Sequence, residues 1–372
     1  MGYEIDVLAV GEKSNSGDAI AIRYGDLHGE RGDQTVVIID GGYKDDGQKL
    51  VEHVQTHFHT SKVDLVISTH PDQDHINGLS TVIDELEVTE LWIHQAWEHN
   101  EGLAENFKDG RITDNSIGEK LKDNLESAYK LVQQAKGKGI NVCEPFTGSS
   151  FDFGSVKVLS PSLKYYEELL PKFDGMPETK AATEDRSAQG LMAALEAFTA
   201  KAAKALKKVF ASWGEDQLDN DDTTSAKNNS SVITQLIVDG RRLLFTGDAG
   251  ITALNNAADE IDTCASGAEL RFMQIPHHGS KRNIGPDVLN RLIGEPVSVG
   301  KERQISAIAS SAKEGAPKHP HQAVLNAFKH RGIPGARATK GGGIRHHYDA
   351  PDRAGWSSLT PEPYCYEYDE EA

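Results

Sequence analysis

Residues 69–79 read THPDQDHINGL, directly behind the apolar run VDLVIS at 63–68. A short aliphatic run of this kind, bounded by turn formers, predicts a buried strand, and the apolar spacing of INGLSTVIDEL at 76–86 predicts a helix after it. Strand, loop and helix in that order form the repeating unit of a layered α/β protein. The loop between them holds His70, Asp72, Asp74 and His75. Alternate residues of an extended segment point the same way, so His70, Asp72 and Asp74 share a side while His75 opens the helix. Capping that helix would need only one aspartate. Two imidazoles and two carboxylates packed so closely point instead to a metal cradle.

Working outward, three more clusters follow strand-like runs. Asp40 follows TVVII, Asp248 follows RRLLFTG, and His277 with His278 follows RFMQIP. The carboxyl ends of strands in layered α/β folds are where loops converge and sites are built. Residues far apart in sequence are therefore expected to share one pocket.

The remaining texture is consistent with a single domain over 1–372. Runs at 3–10, 18–24 and 34–42 predict an antiparallel meander. Helices are expected over 47–60, 117–139 and 321–332, and strands at 90–95, 140–145, 155–161 and 304–310. Asp239-Gly240 predicts a hairpin turn between 230–238 and 241–248. Between 162 and 227 the pattern changes to a helical and acidic-loop insertion, with one long helix expected over 186–213. The tail PEPYCYEYDEEA reads as a loosely docked end.

Composition narrows the classes. A net charge of −18 opposes a broad grip on duplex nucleic acid. The three cysteines fit neither a disulfide framework nor a metal clip, which favours reducing cytosol. The start lacks a signal-peptide pattern and no apolar run is long enough to span a bilayer, so the expectation is a cytoplasmic protein without a membrane segment.

The stretches GDAIAIRYG, VVIIDGG, STHPDQDHINGL, NNSSVITQLIVDGRRLLFTGD, IPHHGSK and HPHQAVLNAFKHRG, in this order, resemble the metallo-β-lactamase fold superfamily, whose signature is H-x-[HD]-x-D-H. More narrowly they resemble the soluble hydrolase domain of ComEC-type DNA-uptake proteins. The resemblance implies a four-layer αββα sandwich and two divalent ions, zinc or manganese, with magnesium also admitted. It assigns His70 and Asp72 to the first ion, Asp74, His75 and His278 to the second, and Asp248 to a bridge, with His277 the alternative to His278. Asp40 would orient the loop, and Lys281 and His319 would meet substrate or leaving group. A metal-bridged hydroxide would then be the nucleophile, with Asp74 beside it.

Two departures from the family pattern stand out. Asp72 replaces the commoner histidine, and no histidine between His75 and Asp248 matches the usual further ligand; residues 229–231 of the NNSS segment sit in its place. His94 and His99 fall in the interval, but histidines beside tryptophans are more often packing or hydrogen-bonding groups. His57 and His59 are expected at the surface.

The implied activity is that of a phosphodiesterase or nuclease acting on a small-molecule, nucleotide or single-stranded nucleic-acid substrate. Hydrolysis of a small lactone, ester, thioester or amide is the competing reading, because one fold hosts many chemistries. A third is a metal-bearing module that binds a protein partner through the insertion. Lys201, Lys204, Lys207 and Lys208 follow the spacing of an ordinary solvated helix face.

Overall fold

A computed structural model describes residues 1–11, 15–181, 206–264, 266–312, 319–360 and 363–371. Strands β1 (Gly2–Val7), β2 (Ala19–Gly25) and β3 (Gln34–Gly41) pair as the expected antiparallel meander. Next to β3 come β4 (Lys62–Ile67), β5 (Glu87–Trp92) and β6 (Asn141–Cys143), all parallel. Parallel neighbours need crossovers, and the helices Lys44–His57, Leu79–Glu85 and Glu126–Gly137 supply them.

The second sheet repeats this plan. Strands β7 (Ser150–Phe151), β8 (Val156–Ser160), β10 (Ile233–Val238) and β11 (Arg241–Phe245) are antiparallel neighbours, and β12 (Glu269–Gln274), β13 (Ser306–Ala309) and β14 (Arg337–Ala338) continue in parallel. Strand β15 (Ile344–Tyr348) returns to pair with β1 at the edge of the first sheet.

Side-chain alternation turns these sheets into layers. On β2, Ile20, Ile22 and Tyr24 face the second sheet and meet Val158, Leu236, Phe245 and Phe272 in one core. The alternate residues Ala19 and Ala21 face outward, where Val36, Ile38, Leu50, Val54 and Leu79 close a second core under the helices. A third core, with Leu244, Met273, Leu254 and Phe328, lies on the far side of the second sheet. Three cores between layers require four layers, helix, sheet, sheet, helix, and the expected αββα sandwich is present. Each fully buried aliphatic side chain in them contributes about 1.5–3 kcal/mol.

Some local expectations need correction. The helix expected over 117–139 is two, Asp114–Asn124 and Glu126–Gly137, broken at Leu125, whose ψ of 38° leaves the helical region. The helix expected over 76–86 is also two, Gln73–Ile76 and Leu79–Glu85, because Gly78 packs against β3; a Cβ there would lie 1.9 Å from the Gly41 carbonyl oxygen. Most of the helix expected over 186–213, with Lys201 and Lys204, lies outside the described residues. Its end is not helical. Leu206–Phe210 forms β9, which pairs antiparallel with β16 (Glu367–Glu371).

The acidic tail is therefore docked rather than loose. Lys329 Nζ donates to the Pro363 carbonyl at 2.9 Å, and Tyr364 Oη lies 2.9 Å from His330 Nε2. Part of the 162–227 stretch also joins the second core, under the helices of the first sheet, through Tyr166, Leu169, Leu170 and Phe173. Among the described residues no helix is long and apolar enough to cross a membrane.

On the outer face of β1 the buried Glu4 meets three guanidiniums, those of Arg23, Arg345 and Arg353. Breaking a buried ion pair from one side costs about 3–5 kcal/mol because the partner charges stay behind. Glu4→Ala is accordingly expected to lower unfolding free energy by about that amount in a urea titration. A loss of only a few tenths, as for an exposed pair such as Lys130–Glu126, would contradict the dependence of this corner on Glu4.

Candidate metal centre

The site lies where β3, β4, β11 and β12 end side by side. Asp40, in the left-handed region with φ 56°, is buried, and its side chain accepts three hydrogen bonds. Thr69 donates its backbone N–H at 2.8 Å and its hydroxyl at 2.6 Å, and His75 donates from Nδ1 at 2.8 Å. With its hydroxyl proton committed to Asp40, Thr69 Oγ1 accepts from His70 Nδ1 at 3.1 Å. On the second sheet, His278 Nδ1 donates to the Ser310 carbonyl at 3.0 Å.

These contacts fix the proton of each imidazole on Nδ1 and leave Nε2 with a lone pair. The Nε2 atoms of His70, His75 and His278 are buried and have no protein hydrogen-bond partner, and the same is true of Asp248 Oδ1 and Asp18 Oδ1. An unsatisfied buried polar group costs about 1–3 kcal/mol. Five of them in one place are explained if a cation is their common partner, and the donor set fits a divalent ion.

The geometry supports that fit. His70, His75 and Asp248 offer ligand atoms within 4.8 Å of one another, as do Asp74, His75 and His278, and also Asp18, Asp248 and His278. Asp248 Oδ1 lies 3.4 Å from His75 Nε2, and its Oδ2 lies 3.8 Å from His70 Nε2 and 4.0 Å from His278 Nε2. Asp74 Oδ2 is 3.4 Å from His278 Nε2. The loop after β4 and the carboxylate after β11 do converge.

Local backbone explains the convergence. Gly247 has φ +50°, and a Cβ on it would lie 3.0 Å from the Thr69 side chain, so only glycine lets the Asp248 turn approach the loop. His277, His278 and Gly279 are three successive left-handed residues, with φ of 47°, 55° and 89°. Non-glycine residues held there carry strain of order 1–3 kcal/mol each, which the surrounding contacts sustain.

The carboxylates demand positive charge nearby. Burial pushes the His75 imidazole down, but Asp248, Asp74 and Asp40 outweigh it and hold His75 well above its usual range. His278, also buried, is raised to about 9, chiefly by Asp248 and Asp74. Burial drives the Asp18 carboxyl up.

Other residues singled out by sequence fall as follows. Asp72 joins none of the clusters just described; its Oδ2 lies 3.7 Å from His70 Nε2 while its Oδ1 accepts from Lys227 Nζ at 2.7 Å. It occupies the N-cap position of the helix Gln73–Ile76 without a side-chain cap hydrogen bond. His277 is more exposed, donates from Nδ1 to Asn283 Oδ1 at 2.8 Å, and has Nε2 3.5 Å from Asp248 Oδ2. His319 lies at the rim, its ring 5.7 Å from that of His277. Lys281 is exposed on the following turn.

His94 packs on Phe146 and Tyr166 and bonds to the Pro145 carbonyl, and His99 bonds to Glu144, so both are hydrogen-bonded packing groups. The NNSS segment braces rather than fills the interval. Ser231 Oγ accepts from the Asp248 N–H at 3.2 Å, and Asn229 Oδ1 accepts from the Gly250 N–H at 3.2 Å.

Sequence reasoning missed Asp18. It enters β2 beside an unbroken apolar run, is 1% exposed, and takes a hydrogen bond from Gln274 Nε2 at 2.7 Å. A lone carboxylate at the mouth of a buried strand was the available signal.

Residues 30–132 match the metallo-β-lactamase superfamily. This match and the donor clusters are consistent with a metal-dependent hydrolase. The match to the metallo-β-lactamase superfamily ends before Asp248 and the 277–278 pair, which join the site by tertiary contact. Over 140 residues the chain is 27% identical to ComE operon protein 3 of Bacillus subtilis (strain 168), which accounts for 38% of this chain and 16% of that protein. Similar solved structures include a metallo-β-lactamase from Hirschia baltica, 11% identical over 70% of this chain and 81% of that one with a TM-score of 0.29. Another is a diphosphatase of the PhnP family, 10% identical over 94% of this chain and 98% of that one with a TM-score of 0.38.

Proposed function

We propose that this metallo-β-lactamase domain is a divalent-metal-dependent phosphodiesterase, acting on a nucleotide-sized or single-stranded nucleic-acid substrate. The observation that carries the reading is the convergence of buried, unpartnered lone pairs on His70, His75, His278, Asp18 and Asp248, with the partly exposed Asp74 on their open side. Carboxylate oxygen makes up much of this donor set. Hard donors favour manganese, magnesium or zinc acting on phosphate oxygen over softer metals.

When bound, a divalent pair supplies Lewis acidity at a phosphoryl oxygen and a nucleophile at neutral pH. The protein's own groups do the rest. Asp40 and Ser310 hold the protons of His75 and His278 on Nδ1, which keeps both Nε2 lone pairs aimed inward. Asp74, the carboxylate with an open side, is placed to accept a proton from an attacking water. His319 at the rim, pushed down to about 4 by burial and by His277 and His278, would offer the leaving oxygen a hydrogen bond as a neutral imidazole, and the Lys281 ammonium meets substrate charge. The overall charge of −18 favours a short substrate over duplex DNA.

The reading is tested with a substrate panel. Purified protein with added Mn²⁺ is expected to hydrolyse bis(p-nitrophenyl) phosphate and to leave lactones and thioesters intact. Turnover of a lactone or thioester without phosphodiester cleavage would replace it with the small-ester alternative. Loss of single-stranded DNA cleavage with rising salt would separate a nuclease from a nucleotide hydrolase, because backbone contacts release counterions.

A further inference from the structure

Lys227 approaches the centre from the short helix Ala226–Asn229, in the interval where the family resemblance leads one to expect a further histidine. Its ammonium donates to Asp72 Oδ1 at 2.7 Å and lies 3.8 Å from Asp174 Oδ2. The other oxygen of Asp72 is 3.7 Å from His70 Nε2. One carboxylate is thus shared between an ammonium and an imidazole that faces the centre.

The two sides of the centre differ accordingly. On one side Asp74, His75 and His278 converge, with Asp18 and Asp248 beside them and no lysine or arginine paired to any of these carboxylates among the described contacts. On the other, His70 converges with His75 and Asp248, but Asp72 is neutralised by Lys227 and stays outside the clusters. An opposite unit charge within about 4–6 Å of a carboxylate shifts its proton equilibrium by roughly one to three powers of ten, and the same field acts on a divalent cation competing for that carboxylate.

We propose that Lys227 is a built-in counter-charge that makes the metal centre asymmetric: the ion on the Asp74–His75–His278 side is held tightly, while the ion on the His70–Asp72 side is weak and exchangeable. This rests on the metal reading of the site given above. Lys227 acts as a positioning and selectivity residue through Asp72, so its effect is read in metal binding rather than turnover.

The experiment is a calorimetric titration of the metal-free full chain with Mn²⁺, followed by elemental analysis after desalting. The wild type is expected to bind two ions with affinities at least about tenfold apart and to retain one. Lys227→Met is expected to tighten the weaker ion about tenfold or more and to retain two, while Lys227→Arg keeps the wild-type pattern. Lys227→Gln repeats the neutralisation with a polar side chain should the methionine variant be unstable. Asp72→Asn is expected to lose the weak ion and keep the tight one. Two equally tight ions in the wild type, or an unchanged isotherm in both neutral variants, overturns the proposal and leaves the metal site standing. No binding of Mn²⁺ by any form overturns both.

Discussion

Asp248→Ala is expected to lower kcat/KM for bis(p-nitrophenyl) phosphate by at least about a thousandfold. Metal Lewis acidity is worth several kcal/mol at the transition state, and each 1.4 kcal/mol is a tenfold change in rate. Asp248 reaches all three histidines, with distances of 3.4, 3.8 and 4.0 Å to His75, His70 and His278. Its removal therefore strips both sides of the centre at once. The fold has little reason to fail, because the Asp248 backbone N–H bonds to Ser231 and its carbonyl accepts from Asn283 whatever the side chain. The check is a rate measurement with Mn²⁺ alongside metal content by elemental analysis. Activity within tenfold of wild type, with full metal content, would remove Asp248 from the centre.

Asp40→Asn is expected to weaken Mn²⁺ binding and activity by about 10–100-fold, the usual effect of losing a group that orients a metal-bound histidine. The carboxylate accepts from Thr69 through each of its oxygens and from His75 through one. An amide has a single acceptor oxygen, so its NH₂ must face one of these donors. Relief requires His75 to move its proton to Nε2, which turns a donor instead of a lone pair toward the centre. Asparagine tolerates the left-handed backbone found here, so the loop itself need not change. A Mn²⁺ titration with a melting curve separates the two effects. Wild-type affinity in a variant of lowered melting temperature would make Asp40 a structural residue only.

Much of this was legible in the sequence because it rests on local pattern. Near-continuous apolar runs mark β2 and β3 as strands with two buried faces, and the turn formers after each aliphatic run mark where chemistry-bearing loops begin. The clusters at 70–75, 248 and 277–278 could be read from those positions. Local pattern also misled. Leu206–Phe210 carries lysines and aliphatics at helical spacing, yet it is a strand because the tail at Glu367–Glu371 offers it a ladder. Tertiary pairing overrides propensity when a remote partner satisfies the backbone.

From the sequence alone came the layered α/β plan, the loops that hold imidazole and carboxylate groups, and the family these resemble, since each is written in the order of neighbouring residues. Only the folded chain decided that Asp18 joins the centre, that Lys227 claims Asp72 from 155 residues away, and that the Ser310 carbonyl sets the tautomer of His278. Those are contacts between groups brought together by the two sheets. No spacing along the chain encodes them, because their distance depends on how the whole sandwich closes.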